Sequence, residues 1–135
     1  MRIVVDSYAW IELFRGGEKG KKVAQLIIES DQVFTPDIVL AEVARKYVRE
    51  GYDDSTVKKR LDFMHDVSAV VSIDREIAVT ASKCYIEMVE KSKELKQPKP
   101  GLADAIVLAI SRVKDAKVVT GDMHFRPFKE TIWLG

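Results

Sequence analysis

Four acidic residues stand out in this sequence because each interrupts or ends an apolar run. Asp6 directly follows Ile-Val-Val, and Asp122 comes after Val-Val-Thr-Gly. Glu42 and Asp104 each lie inside an aliphatic segment. Burying an unpaired carboxylate is costly, so these placements indicate a shared task for the four side chains. Most of the other acids have charged neighbours, as in Glu87–Glu94, and are typical of a solvated helix face.

Carboxylates that meet at one place repel each other unless a cation holds them. Magnesium and manganese prefer carboxylate and water oxygens as ligands. The chain offers no softer ligand set, because its one cysteine, Cys84, and its two histidines, His65 and His124, lack the spacing of a zinc site. We therefore expect Cys84 to be a core residue. The four acids predict a site for Mg²⁺ or Mn²⁺.

Each of the four acids also has an ordinary structural explanation when taken alone. Asp6 could cap the helix that follows it, and Asp122 could be a turn residue after glycine. Asp104 could simply favour the positive end of its helix. Glu42 could form a salt bridge with a basic residue one turn later. A common site explains all four at once, and we therefore favour it.

The elements that must position these acids alternate between short β-branched runs and longer amphipathic stretches. This alternation predicts one α/β domain over residues 1–135, with five strands in a doubly wound, mostly parallel sheet. The carboxyl ends of such strands border a crevice in which ligands bind. Asp6 and Asp122 follow strands and belong at that edge. Glu42 and Asp104 lie early enough in their helices to lean toward it.

The bounds of the elements follow from apolar periodicity and from start and stop signals. Strands are predicted at Arg2–Val5, Gln32–Phe34, Ala69–Ile73, Lys117–Thr120 and Thr131–Leu134. Helices are predicted at Ser7–Phe14, Gly20–Ser30, Pro36–Glu50, Ser55–Val67, Arg75–Lys96 and Leu102–Lys114. Thr35 is expected to cap the third helix and Pro36 to open it. The segment 97–101, Gln-Pro-Lys-Pro-Gly, cannot continue a helix and is expected to be a stiff connector.

The overall composition limits the classes of function. Setting the four acids aside leaves 22 basic residues against 17 acidic ones. This balance suits a polyanionic substrate but falls short of a dedicated nucleic-acid-binding module. No apolar run has the length of a signal peptide or a membrane span, so we expect a cytoplasmic protein. The absence of asparagine and the 32% of charged residues are typical of a thermophilic source.

Four short motifs carry a resemblance to a known family. They are VVDSYAW at 4–10, Thr35-Pro36 followed by Glu42, ADAI at 103–106 and TGDMHF at 120–125. In this order, and over essentially the whole chain, they resemble the PIN domain and are most similar to VapC-type toxins of toxin–antitoxin pairs. The resemblance implies a three-layer α/β/α fold, a metal-dependent endoribonuclease activity and commonly a homodimer. It also implies a small antitoxin protein whose tail enters a groove and blocks the metal site.

Carried over by position, the resemblance makes Asp6 and Asp104 the firmest metal ligands. The other two acids complete the cluster directly or through water. Thr120 and Ser7 match hydroxyls that orient these carboxylates, although a cap role explains Ser7 equally well. The implied reaction is hydrolysis of an RNA phosphodiester, in which the metal activates a water molecule and stabilises the charge on the phosphoryl oxygens.

Basic residues close to the motifs are candidates for holding RNA phosphates. The candidates are Arg126, Arg15, Arg45 and Lys46. Arg126 follows the last motif and is the best of them by position. His124 could touch substrate, but Phe125 and Phe128 are expected to anchor this loop to the core, with His124 as a bystander.

Several apolar residues exceed what the core-facing side of two helices needs. A dimer or partner surface explains this surplus, and ordinary packing explains it equally well. The residues are Trp10, Leu13, Phe14, Tyr47, Val48 and Tyr52.

Other functions also place acids at strand ends. A response-regulator receiver would have to use Asp6, Asp74 and Thr120, but Asp74 is expected to cap a helix, no lysine follows the last strand, and two of the four acids would stay unexplained. A phosphatase of the haloacid-dehalogenase type needs an acid where this chain has Tyr8. A PIN domain that acts in RNA processing, acts on DNA or has no toxin role stays open, because substrate choice depends on loop shape and gene neighbourhood.

Overall fold

Five strands and six helices build the molecule, and the computed structural model describes all of residues 1–135. The strands are β1 (Arg2–Val5), β2 (Gln32–Pro36), β3 (Ala69–Val71), β4 (Lys117–Thr120) and β5 (Thr131–Trp133). The helices are α1 (Ser7–Arg15), α2 (Glu18–Glu29), α3 (Asp37–Arg49), α4 (Asp54–Val67), α5 (Arg75–Glu94) and α6 (Leu102–Val113). No helix combines the length and the apolar character needed to cross a membrane.

All five strands are parallel and form one sheet in the order β3-β2-β1-β4-β5. On one side α1 contacts β4 and α3 contacts β2, and these helices also contact α2 and α4. Helix α6 packs on β1, β2 and β4 and carries α5. The predicted three-layer α/β/α architecture is therefore confirmed.

The centre of the sheet is buried, and its two middle strands consist mainly of aliphatic residues. Ile3, Val4 and Val5 of β1 and Val118 and Val119 of β4 are fully buried, as expected for parallel strands covered on both faces. Helix α6 is buried on all sides over Ala105–Ser111. The residues at the ends of β1, β4 and α6 therefore have rigid supports.

The chain changes direction within the sheet between β1 and β4. After β1 it builds β2 and β3 on one side, and it then returns to add β4 and β5 on the other. Ligands of open α/β sheets bind at such a switch point, beyond the carboxyl ends of the strands. The backbone N–H of Asp6 donates to the Val119 carbonyl (3.2 Å), so the pairing of β1 with β4 continues up to Asp6.

The prediction that Thr35 caps a helix that begins at Pro36 was wrong. Both residues belong to β2, where Thr35 pairs with Val70 and Pro36 with Val71. The Thr35 hydroxyl is buried and bonds to the Ser68 hydroxyl (2.7 Å). Pairing with β3 therefore prolongs the strand to the last residue before α3, and no side chain caps α3.

Two smaller predictions are confirmed. Asp74 caps α5, because its Oδ1 accepts the backbone N–H of Ile77 at 2.8 Å. This leaves Asp74 without the phosphoacceptor role that a receiver domain would need. Cys84 is fully buried in the core.

Candidate functional site

Asp6 is the most deeply buried of the four acids, with 4% of its surface exposed. Its Oδ2 accepts a hydrogen bond (2.8 Å) from the hydroxyl of Thr120, the last residue of β4. Although Asp6 precedes α1, its side chain makes no capping bond to that helix, so the cap explanation fails. Burial raises the pKa of Asp6 from 3.8 to about 7; Thr120 opposes the rise, and Glu42 and Asp104 add to it.

Glu42 lies on α3 and is half-buried. Burial is the main cause of its raised pKa and repulsion by Asp104 the next, while Arg45 and the Ser7 hydroxyl act in the opposite direction. Glu42 forms no salt bridge, because no basic group approaches it within 4 Å and Lys46 pairs with Glu50 instead (3.0 Å). The salt-bridge explanation therefore fails as well.

Asp104 lies in the first turn of α6 and is half-buried. Its Oδ2 accepts the backbone N–H of Gly101 (3.0 Å), so it does help to begin the helix. Its other oxygen accepts no hydrogen bond. Burial raises the pKa of Asp104 and Asp122 raises it further, against the lowering effects of Gly101 and His124. Asp104 thus helps to begin the helix with one oxygen, and the other oxygen has no hydrogen-bond partner within the chain.

Asp122 lies in the loop after β4, and hydrogen bonds fix both its backbone and its side chain. Its backbone N–H donates to the Thr120 hydroxyl (3.0 Å), and its Oδ1 accepts the backbone N–H of His124 (2.9 Å). The turn role considered for Asp122 is therefore real. It coexists with a position beside Asp104.

His124 was expected to be a bystander, and the structure gives it specific contacts. Its Nδ1 lies 2.9 Å from Asp122 Oδ1, and its Nε2 lies 2.8 Å from the Pro98 carbonyl oxygen. One ligand atom from each of Asp104, Asp122 and His124 lies within 4.8 Å of the others. Burial works against the charged ring, but Pro98 and Asp122 outweigh it and raise the pKa of His124.

The four acids form one electrostatic group. The pKa of Asp6 responds to Glu42 and Asp104, and that of Glu42 responds to Asp104 and Asp122. No lysine or arginine pairs with any of the four, and His124 is the one basic partner within 4 Å. A set of carboxylate oxygens without a lysine or arginine partner fits a hard divalent cation such as Mg²⁺ or Mn²⁺. Thr120 joins two of the acids, and Ser7 lies beside Glu42.

Shallow clefts with basic walls flank the acids. One of about 310 Å³ has Asp6, Asp122, Arg15 and Lys46 among its lining residues. Another of about 250 Å³ is lined by Ser7, Glu42, Arg45, Lys46, Arg49 and Glu50. Three of the four predicted phosphate contacts, Arg15, Arg45 and Lys46, therefore border the site, together with Arg49, which the motifs did not indicate.

Arg126, the best candidate by position, lies elsewhere. Its guanidinium lies 5.3 Å from the ring centre of Trp133 at the end of β5, outside the clefts beside the acids. The loop before it is shaped by Gly121, where a Cβ atom would overlap with the ring of Tyr8. Lys19 in turn donates to the Tyr8 hydroxyl (2.9 Å).

Comparisons with known proteins give a consistent picture. A family model described as the PIN domain matches residues 3–130. No curated protein matches the chain. Among solved structures, a toxin–antitoxin complex from Klebsiella pneumoniae is similar at 18% identity, covers 98% of each chain and has a TM-score of 0.73.

Two further structures share the fold. A Mycobacterium tuberculosis VapC toxin described as cleaving the sarcin-ricin loop has 18% identity over 94% of this chain and 95% of its own, with a TM-score of 0.69. A DNA-bound VapBC complex from Salmonella typhimurium has 14% identity over 100% of this chain and 99% of its own, with a TM-score of 0.70.

Proposed function

The chain belongs to the PIN-domain family, and we propose that it is a Mg²⁺- or Mn²⁺-dependent endoribonuclease that acts as the toxin of a toxin–antitoxin pair. The observation that carries the proposal is the group of four acids at the switch point of the sheet, none of which has a lysine or arginine partner. A buried carboxylate group of this kind needs a cation from outside the chain.

Asp6, Glu42, Asp104 and Asp122 would hold the metal through their oxygens. The bound metal would supply a Lewis acid that activates water and stabilises charge on the phosphoryl oxygens. The chain itself fixes the positions of the acids. The Thr120 hydroxyl holds Asp6 Oδ2 at 2.8 Å and the Asp122 N–H at 3.0 Å, which keeps these two acids in a constant relation.

The substrate class follows from the charges around the acids. Arg15, Arg45, Lys46 and Arg49 line two clefts that also contain Asp6, Glu42 or Asp122. Phosphates on both sides of the scissile bond would contact these residues, while the scissile phosphate would face the acids. Such contacts give affinity that depends on salt, without selecting a base sequence. Arg126 stays a prediction as an RNA contact.

An aromatic groove on the α1–α4 side supports a protein partner. The groove has a volume of about 540 Å³ and is lined by Leu13, Phe14, Thr56, Lys59, Arg60 and Phe63. Phe63 is 44% exposed, and Arg60 lies 4.8 Å from the ring centre of Phe14. This chemistry suits an apolar segment that also carries acids.

The same helix connects this groove with the acids. Phe14 lines the groove, and Arg15, the next residue, lines the cleft beside Asp6. An antitoxin segment that fills the groove would contact the same helix whose Tyr8, Glu12 and Arg15 line the cleft beside Asp6. Truncation of Phe63 to alanine should weaken capture of a co-expressed antitoxin without changing cleavage by the free enzyme. Equal capture by both proteins would contradict this location of the antitoxin.

A homodimer is also part of the proposal. Val48 and Tyr52 expose 59% and 45% of their surface on and just after α3, which leaves apolar area for a second copy. Sedimentation equilibrium should give twice the mass of the chain. A monomer at high protein concentration would remove the dimer from the proposal.

The nuclease itself is tested by cleavage of mixed single-stranded and structured RNAs with Mn²⁺, with Mg²⁺ and with EDTA. Asp104→Asn is the test variant, and Asp66→Asn, which changes an exposed acid on α4, is the matched control. We expect metal-dependent cutting that Asp104→Asn abolishes and Asp66→Asn retains. Cutting that persists in EDTA or in Asp104→Asn would overturn the assignment. Cutting of DNA and not RNA would overturn the substrate class.

A further inference from the structure

His124 closes a chain of hydrogen bonds that runs through the proposed metal site. The series of hydrogen bonds begins at the Pro98 carbonyl and passes through the His124 ring to Asp122 Oδ1. The backbone N–H of Asp122 continues it to the Thr120 hydroxyl, which donates to Asp6. Two of the four acids are therefore held in one connected network that includes His124.

A third acid is linked to the same network through the backbone. Pro98 lies in the connector between α5 and α6, three residues before Gly101, whose N–H fixes Asp104 Oδ2. The bond from His124 to the Pro98 carbonyl is the one hydrogen bond that joins this connector to the loop after β4. His124 thus links the segment that carries Asp122 to the segment that begins the helix of Asp104.

The contacts of the ring also define what His124 can do. Both ring nitrogens have a partner, because Nδ1 lies 2.9 Å from Asp122 Oδ1 and Nε2 lies 2.8 Å from the Pro98 carbonyl oxygen. Neither nitrogen is free to take another partner while these two contacts are present. This separates His124 from the four acids, although its ring lies beside Asp104 and Asp122.

We propose that His124 is a positioning residue that fixes the Asp122 carboxylate relative to Asp104 by tying the loop after β4 to the connector before α6. The inference rests on the proposed metal site. Groups that orient a metal ligand in this way typically contribute about 10- to 100-fold to metal affinity.

The test measures Mn²⁺ binding by isothermal titration calorimetry, apart from any cleavage. His124→Ala removes both contacts. His124→Asn retains a donor at the level of Nδ1, toward Asp122, and His124→Gln retains one at the level of Nε2, toward Pro98. His65→Ala is the matched control, because His65 is exposed on α4 and makes no side-chain hydrogen bond. The unfolding temperature of each metal-free protein is recorded in parallel.

We expect His124→Ala to bind Mn²⁺ about tenfold more weakly or worse, and the Asn and Gln variants each to recover part of the loss. His65→Ala should bind like the unchanged chain. Should His124→Ala not fold, the Asn and Gln variants must still show weakened binding. Unchanged Mn²⁺ affinity in the folded variants would overturn the proposal, as would a lower unfolding temperature without a change in affinity.

Two further measurements separate the remaining outcomes. A ¹⁴N coupling in the pulsed electron paramagnetic resonance spectrum of bound Mn²⁺ that disappears in His124→Ala would make His124 a ligand and overturn the positioning role. If the protein cleaves RNA but its Mn²⁺ affinity is the same with and without the His124 side chain, this inference is overturned and the proposed function is supported. If Mn²⁺ binding depends on His124 but the protein does not cleave RNA, this inference is supported and the proposed function is overturned.

Discussion

Carboxylates are paired in opposite ways at the two ends of the sheet. Near the amino ends of the strands, Arg112 makes two bonds to Glu87 (2.6 and 3.2 Å) and one to Glu130 (2.7 Å). At the carboxyl ends, four acids gather without any lysine or arginine partner. The first group is complete within the chain, whereas the second, in our proposal, is complete only with a cation. A concavity of about 720 Å³ lies at the complete end and contains none of the four acids.

The pKa values express the same contrast. Burial opposes ionisation of Glu130, but Arg112 overcomes it and keeps the pKa of Glu130 below its ordinary value. At the other end burial is not overcome, and the pKa of Asp6 rises to about 7. A buried acid is therefore not in itself a sign of function. The sign is a buried acid whose charge the chain leaves uncompensated.

The largest expected effect is on catalysis, from Asp6→Asn. The variant keeps the shape of the side chain and removes a ligand charge, so metal-dependent cleavage should fall to background in a gel assay with labelled RNA. Its metal-free unfolding temperature at pH 8 should not fall, because the buried charge that it removes is unfavourable there. Full activity, or a marked loss of stability, would place Asp6 with the structural ion pairs.

The dependence of stability on pH should have opposite signs at the two ends. Asp6 has a folded pKa above its unfolded value, so its contribution to stability becomes less favourable as pH rises from about 4 to 7, by up to about 4 kcal/mol. Glu130 has a folded pKa below its unfolded value, so its contribution is present above the unfolded pKa and disappears as pH falls through the folded one.

Unfolding in urea at several pH values, in EDTA, measures both contributions. We expect Asp6→Asn to have a higher free energy of unfolding than the unchanged chain, by an amount that grows as pH rises. We expect Glu130→Gln to have a lower one, by an amount that shrinks as the solution is acidified. With saturating Mn²⁺ in place of EDTA, only the Asp6→Asn difference should lose its dependence on pH, since Mn²⁺ stabilises the ionised cluster. The same sign for both variants would remove the distinction between the two ends.

A change at the complete end should lower stability and leave metal binding alone. Arg112→Met leaves two carboxylates without their partner, and because this arginine is partly exposed we expect a loss of about 2 kcal/mol in the free energy of unfolding. Mn²⁺ affinity measured by calorimetry should not change. A changed affinity would show that the two ends are coupled through α6.

The smallest expected effect concerns the basic walls of the clefts. Arg45→Gln should weaken RNA binding modestly for all sequences and reduce the slope of log affinity against log salt by about 0.7. Arg126→Gln serves as the comparison, since Arg126 lies over Trp133 and outside the clefts. Fluorescence anisotropy of labelled RNA at several salt concentrations measures both. A larger effect from Arg126 would restore it as the principal phosphate contact.

The sequence predicted the parts of the molecule that depend on local pattern. The bounds of β1 and β4 match the prediction, because uninterrupted aliphatic runs leave no other choice. The end of β2 was missed since it depends on pairing with β3, thirty-five residues further along the chain. The four acids were predicted as a site because each interrupts or ends an apolar run, and their role stays a prediction.

Contacts over long sequence separation set the limit of such reasoning. The ring of His124 meets Pro98 across 26 residues, and no local pattern indicates that bond. Glu87 is exposed, as predicted for a solvated face, but its ion pair with Arg112, 25 residues away, has no local signal. The signal available for His124 was its place two residues after an acid at the end of a strand, where a short loop turns the ring back toward the carboxylate.

The burial of α6 on all sides has a consequence for how this protein can diverge. Asp104 stands at the beginning of a helix that packs on three strands, so a shift of that carboxylate would disturb the middle of the core. Arg45 and Arg49, by contrast, occupy the exposed side of α3, where exchange costs little stability. Selection can therefore change the basic lining of the clefts, and with it the strength and salt dependence of phosphate binding, while the four acids stay in place.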